Sequence, residues 1–231
     1  MEVSFSPLGD TAVVIEVADA ITPKAKSDVQ ILSACLDLNS PEWMLEYVPA
    51  YTSVTVFYDP LKITRNNTLP YEIVCKEIRK MCNTLKGYED PVSRTIKIPV
   101  CYGGTFGPDL DFVAKHNGLS NQDVIDIHTS GEYTVYMIGF APGFPFLGGM
   151  SERIATPRRE SPRLSIPERS VGIAGMQTGV YPIETPGGWQ LIGRTPIRLF
   201  QAENKIPSLL RAGDNVVFFS INQKEYLNWK E

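Results

Sequence analysis

Ten of the chain's 18 glycines and seven of its 18 prolines fall in the 56 residues from Gly139 to Arg194 of a 231-residue sequence. Glycine admits positive φ and close backbone approach, and proline sets φ and removes a donor. A flexible Gly/Ser linker would lack the Phe140, Phe144, Phe146 and Trp189 rings and the Val and Ile positions interleaved here. The segment therefore predicts a β-rich surface of short strands, its backbone bent to shape around something.

Charge sharpens this expectation. From Gly139 to Arg198 there are seven arginines and no lysine, whereas all 11 lysines and the other four arginines lie elsewhere. The acids in the stretch are Glu152, Glu160, Glu168 and Glu184, so it carries net +3 and the remainder net −7. Arginine presents a planar fork to carboxylate or phosphate, which a lysine point charge does not. The bias fits a site for a small anion; the plainer alternative is pairing of these arginines with neighbouring glutamates on barrel loops.

A net charge of −4 argues against general nucleic-acid binding, which needs a basic face. Hydrophobic content of 43% and charge of 21% are ordinary for a globular protein. The opening MEVSFSPLGDTAVV has no basic stretch leading into an apolar one, and no apolar run approaches the roughly 20 residues of a bilayer span. The expected location is the cytoplasm. Cys35, Cys75, Cys82 and Cys101 have no CxxC spacing and no adjacent histidine, so buried thiols are expected rather than a metal or redox site.

Residues 1–90 alternate element types. Val3–Ser6 and Thr11–Val17 read as strands around the turn Pro7-Leu8-Gly9-Asp10. Thr22-Pro23 opens a helix through Leu38, with Val29, Leu32, Cys35 and Leu36 at helical spacing. Trp43–Val48 and Ser53–Tyr58 read as strands, and Leu69-Pro70 precedes a second helix ended by Gly87. The order β-β-α-β-β-α describes a two-layer α+β sandwich. The polar joint Glu89-Asp90-Pro91 sets the expected boundary, with a second domain over 91–231.

That domain opens with a strand over Thr95–Val100 and a loop over Cys101–Gly107. Asp109 is expected to cap a helix to His116, and Ser120, with Asp123 three residues on, a helix to His128. Strands are then expected at Tyr133–Ile138, Gly172–Ala174, Gln190–Leu191, Arg198–Phe200 and Val216–Ser220, with a hairpin-type turn at Arg211–Asp214. Many short strands with Gly/Pro corners predict a closed, mainly-β barrel.

The chain has no P-loop, no G-x-S-x-G and no H-E-x-x-H. With histidines only at 116 and 128, no metal site is expected. His128 is read either as a proton shuttle or as a charge interacting with the helix C-terminus. Gln177-Thr178-Gly179 and Pro186-Gly187-Gly188-Trp189-Gln190 set amide and hydroxyl groups beside glycines, suiting amide, carboxylate or phosphate. Phe140–Leu147 is rigid and aromatic, and either lines a pocket or groove or plugs a barrel end.

The motifs CYGGTFGPDL, VYMIGFAPGFPFLGGM, ATPRRESPRLSIP, SVGIAGMQTGVYPIETPGGWQLIGRTPIRLF and LLRAGDNVVF, with the opening PLGDTAVVIE, resemble the carboxyltransferase/allophanate hydrolase subunit 1 family. Met176 departs from the pattern, where a small residue, usually glycine, is expected. The resemblance implies a cyclophilin-like barrel behind an α+β N-terminal domain. It also implies membership of an ATP-dependent 5-oxoprolinase complex that converts 5-oxoproline to glutamate. There the chain would be the B subunit, working with a homologous, KipA-like C subunit plus the lactam-hydrolysing A subunit. It would share their ATP and be inactive alone. The alternative is a KipI-type inhibitor of a sporulation sensor histidine kinase. On the enzyme reading, Arg158, Arg163 and Arg194 would contact anions. Gln177, Thr178 and Gln190 would orient the amide, and Phe140, Phe144 and Trp189 would wall the site. Arg163, Arg194 and Gln177 are the expected catalytic groups.

Overall fold

The computed structural model describes residues 2–63, 68–84 and 93–230, and the chain divides into two compact units, 1–92 and 93–231. The boundary expected at Glu89-Asp90-Pro91, and the helix stop at Gly87, lie outside the described residues.

In the first unit β1 (Ser4–Pro7), β2 (Ala12–Glu16), β3 (Met44–Pro49) and β4 (Ser53–Tyr58) form an antiparallel sheet in the order β1-β2-β4-β3. Two helices, α1 (Pro23–Asn39) and α2 (Pro70–Thr84), supply the second layer. Thr22 caps α1 by accepting from the Ala25 N–H at 3.0 Å. Its buried face is Ala25, Val29, Leu32, Cys35 and Leu36, the 3.6-residue stripe expected of a helix on a sheet. These side chains pack with Val13, Ile15, Val54, Val56, Val74 and Ile78 in one core. Burial pushes the Cys35 and Cys75 thiols up and the Cys82 thiol up to about 11, so all three stay protonated and inert.

The second unit opens with β5 (Thr95–Tyr102), then α3 (Leu110–His116) and α4 (Asn121–Ser130). Ser120 and Asp123 form a reciprocal capping box on α4. The remaining strands are β6 (Tyr133–Ile138), β7 (Pro145–Gly148), β8 (Arg163–Ile166), β9 (Ser170–Ala174), β10 (Gln177–Val180), β11 (Thr185–Gly187), β12 (Gln190–Arg194) and β13 (Asn215–Ser220), followed by α5 (Gln223–Leu227). Seven of them close a barrel in the order β10-β7-β6-β13-β5-β12-β9, while β8 and β11 form a separate two-stranded flap. Ile98, Val100, Val171, Ile173, Ile192 and Phe218 fill the barrel, and Leu110, Val113 and Val124 of the helices join that core.

The α+β unit followed by a closed barrel matches the fold class read from the sequence. Several local expectations do not hold. Cys101 and Tyr102 continue β5 instead of opening a loop, because both pair with β12. Residues 198–200 form no strand, and only an isolated bridge joins Phe200 to Ser208. The Arg211–Asp214 turn is no hairpin, since the strand it feeds, β13, runs parallel to β5. The strands β7, β8, β10 and β11 are additions; each is three or four residues long and carries proline or glycine or lies in the flap.

Candidate functional site

Asp109 anchors the arginine segment. It stands at the N-cap position of α3, yet its side chain makes no capping bond. Its buried carboxylate turns instead toward the loop before β8. Oδ1 accepts from Arg163 Nη2 at 2.7 Å and from Arg159 Nη1 at 3.2 Å, and Oδ2 accepts from the Leu191 N–H at 2.7 Å. Capping is replaced by charge-assisted bonds, which are stronger. The same loop is stitched to the turn between β11 and β12. The Arg159 N–H donates to Gly188 O at 2.7 Å, and Gln190 Nε2 donates to Pro157 O at 3.0 Å.

Two guanidiniums share this one carboxylate, so the cluster keeps a positive excess. Arg158 adds to it, being exposed and without an ion pair among the described residues. Arg158 and Arg163 both act on the Tyr181 hydroxyl. Burial pushes that group up to about 12, while the Trp189 backbone N–H and the two arginine charges pull the other way. Tyr181 thus keeps its proton at neutral pH and can donate. Gly187 gives it room, since a Cβ there would stand 2.6 Å from the hydroxyl oxygen.

An aromatic cluster continues the site. Phe144 meets Tyr181, Trp189 and Phe146 edge-on, with centroids 5.3, 5.5 and 5.1 Å away. Phe140 tops this cluster, 5.4 Å from Phe144 and 6.5 Å from Tyr181, and 67% of it is exposed. Its φ is 69°, in the left-handed region that a bulky residue rarely occupies. Such strain concentrates where a side chain is needed for contact.

The structure thus brings Arg158, Arg163, Phe140, Phe144 and Trp189 together. Gln177 and Gln190 lie at the same barrel end, where Gly175 bridges to Thr156 beside Pro157. It does not bring Arg194 there. Arg194 ends β12, roughly 13 Å along the strand from Gln190 at 3.3 Å per residue, and its Nε donates to Glu168 O at 2.9 Å. Thr178 is fully buried with its hydroxyl bonded inside the barrel, which removes it from ligand reach. The Gln190 amide is committed to the loop backbone, so it shapes the site rather than orienting an amide. Phe144 and Trp189 lie beneath the surface, leaving Phe140 as the outer wall.

Sequence reasoning missed Asp109, Arg159 and Tyr181. Asp109 looked like a cap because it precedes a helix; no local pattern says that it serves arginines some 50 residues away. His128 is also corrected. It is fully buried and desolvation pushes it down to about 3, so it is neutral and carries no charge for the helix C-terminus. Among the described residues no group of three or more His, Cys, Asp or Glu is arranged to hold a metal ion, and no helix is long and apolar enough to cross a membrane.

The chain as a whole is similar to known proteins. The chain is 51% identical over 228 residues to a Bacillus subtilis protein named as the B subunit of 5-oxoprolinase, covering 97% of this chain and 95% of that one. It is similar to the crystal structure of a conserved uncharacterized protein from Pyrococcus horikoshii, with TM-score 0.57 and 48% identity over 96% of this chain and all of that one. Kluyveromyces lactis urea carboxylase shares the fold at 20% identity and TM-score 0.74, over 97% of this chain and 22% of the longer polypeptide. The model of the carboxyltransferase domain, subdomain C and D, matches residues 3–210, and the chain belongs to that family.

Proposed function

We propose that the chain is the B subunit of an ATP-dependent 5-oxoprolinase, acting with a homologous C subunit plus the lactam-hydrolysing A subunit. The observation that carries the reading is a positively charged cluster in which one buried carboxylate holds Arg159 and Arg163 while Arg158 stands exposed beside them. The names of relatives that match nearly the whole chain support it. A lactam resists attack by water, and phosphorylating its oxygen makes ring opening downhill. Catalysis of such a step is largely positioning and charge neutralisation.

The residues fit an anionic ligand. Arg158 offers an exposed fork to a carboxylate or phosphate. Arg163 is pre-oriented by Asp109, so it loses little freedom on binding. Tyr181, buried beneath the rings, braces the arginines from below, Gln177 orients the amide and Phe140 closes the apolar side. Arg194 has no part in this site. The test is coexpression of the A and C subunits with and without this chain, followed by glutamate release from 5-oxoproline and ATP. Turnover that requires all three chains is expected; equal turnover without this chain would end the reading.

A further inference from the structure

The barrel closes on its slenderest seam. β10 pairs with β9 at four positions, Gln177–Val180, but meets β7 in register only where Thr178 faces Leu147. Thr178 is also where a buried polar chain ends. Its hydroxyl donates to Gly172 O at 3.1 Å, so its oxygen accepts from His128 Nε2 at 2.9 Å. Nε2 therefore carries the ring hydrogen, and the bare Nδ1 accepts from the Tyr102 hydroxyl at 2.8 Å. The imidazole lies over Phe218 with centroids 4.6 Å apart, and Tyr133 donates its hydroxyl to His128 O at 2.8 Å. Every polar atom of the ring is matched, and α4, β5 and β10 are tied by one side chain.

The next residue on β10 transmits this placement. A Cβ on Gly179 would stand 3.1 Å from Phe144 Cζ, from Pro145 O and from Trp189 Cζ3. The bare backbone of β10 is thus the floor on which Phe144 and Trp189 rest, and those rings pack against Tyr181. A shift of β10 by even a few tenths of an ångström must move that floor, because packed interiors transmit displacement.

We propose that His128 is a positioning residue. By holding Thr178 it ties β10 to α4 and β5 at the point where β10 closes on β7, and through Gly179 it sets the Phe144–Trp189–Tyr181 face on which the arginine site is built. The catalytic part of this inference rests on the 5-oxoprolinase reading; the latch itself does not.

Thr178→Val keeps the buried shape and deletes the hydroxyl, while Thr178→Ser keeps the hydroxyl and deletes a methyl group. Amide hydrogen exchange of the full chain reads the seam, and kcat and KM of the complex with the A and C subunits read the site. In the valine variant, exchange over 146–148 and 177–180 should quicken roughly tenfold or more, the weight of the two buried hydrogen bonds that the hydroxyl makes. Exchange in β5 and β13 should change much less, kcat should fall with KM little altered, and serine should restore both readouts. Uniform acceleration throughout the barrel, or none at the seam, overturns the latch. Selective seam opening with unchanged kcat and KM overturns the positioning role. Should the valine variant not fold, fast seam exchange in the serine variant would also count against the latch. A wild-type complex without turnover refutes the functional reading alone, and the exchange result still decides the latch.

Discussion

Phe140 holds a left-handed backbone with φ 69° while leaving 67% of its side chain in solvent. For an L-residue that conformation costs roughly 1–2 kcal/mol relative to the common regions, and glycine would relieve it. Phe140→Gly should therefore leave the melting temperature unchanged or higher, while activity of the assembled complex falls. Lower stability with full activity would mean that the ring serves packing. The arginines divide similarly. Arg158→Ala and Arg163→Ala should each lower kcat/KM of the complex on the order of a hundredfold, about 3 kcal/mol for a lost pair of charge-assisted bonds. Arg163→Lys should not restore the rate, since an ammonium lacks the fork. Arg194→Ala should stay within a few-fold of wild type, because its Nε bonds the Glu168 carbonyl away from the cluster. Loss of activity in Arg194→Ala with Arg163→Ala unaffected would reverse the assignment. At this scale the clustering was legible, since seven arginines without a lysine fall between Gly139 and Arg198. Which arginine serves was not, because partner and distance are properties of the fold.

α4 shows how an element carries more than its own pattern discloses. Its start was readable from Ser120 and Asp123, and the structure forms that capping box in both directions. Its far end delivers His128 into the barrel, where Tyr102, Tyr133, Thr178 and Phe218 surround it and, among the described residues, burial rather than a neighbouring charge sets its protonation. Burial lowers its pKa to about 3, from an ordinary 6.5. The unfolded chain thus takes up a proton near pH 6.5 that the folded chain refuses until about pH 3. His128 contributes full stability above pH 6.5 and loses it as the pH falls toward 3, at up to about 1.4 kcal/mol per unit. Chemical denaturation between pH 7 and 4 should show that slope reduced in His128→Gln; an identical slope in both proteins would contradict it. The short strands β7, β8, β10 and β11 were hidden for a different reason. With three or four residues each, and Pro145, Gly179 or Pro186 inside all but β8, they are too brief for a period-2 pattern, and neighbouring strands rather than propensity hold them extended.

Across the whole molecule the two cores share no residue. One is drawn from residues 13–82 and the other from residues 98–218. A fragment spanning 93–231 should therefore fold alone with a cooperative melt; a molten product in circular dichroism and thermal denaturation would show that its core needs the first unit. Local physics settled much of this from the sequence. Apolar spacing and Thr22 define α1, alternation defines β4 and β5, and Gly/Pro density announces a barrel of short strands, because each signal acts within a turn or a strand length. The arginine bias likewise marked the segment in which Arg159 and Arg163 gather on Asp109. Only the tertiary structure decided that Asp109 holds Arg159 and Arg163, that Tyr181 lies beside them, that Arg194 and Thr178 do not, and that His128 bonds Thr178. Asp109 lies 50 and 54 residues from its two arginines, and His128 lies 50 from Thr178. A hydrogen bond or ion pair across such a span exists only once the barrel has brought its ends together, and no local pattern encodes it.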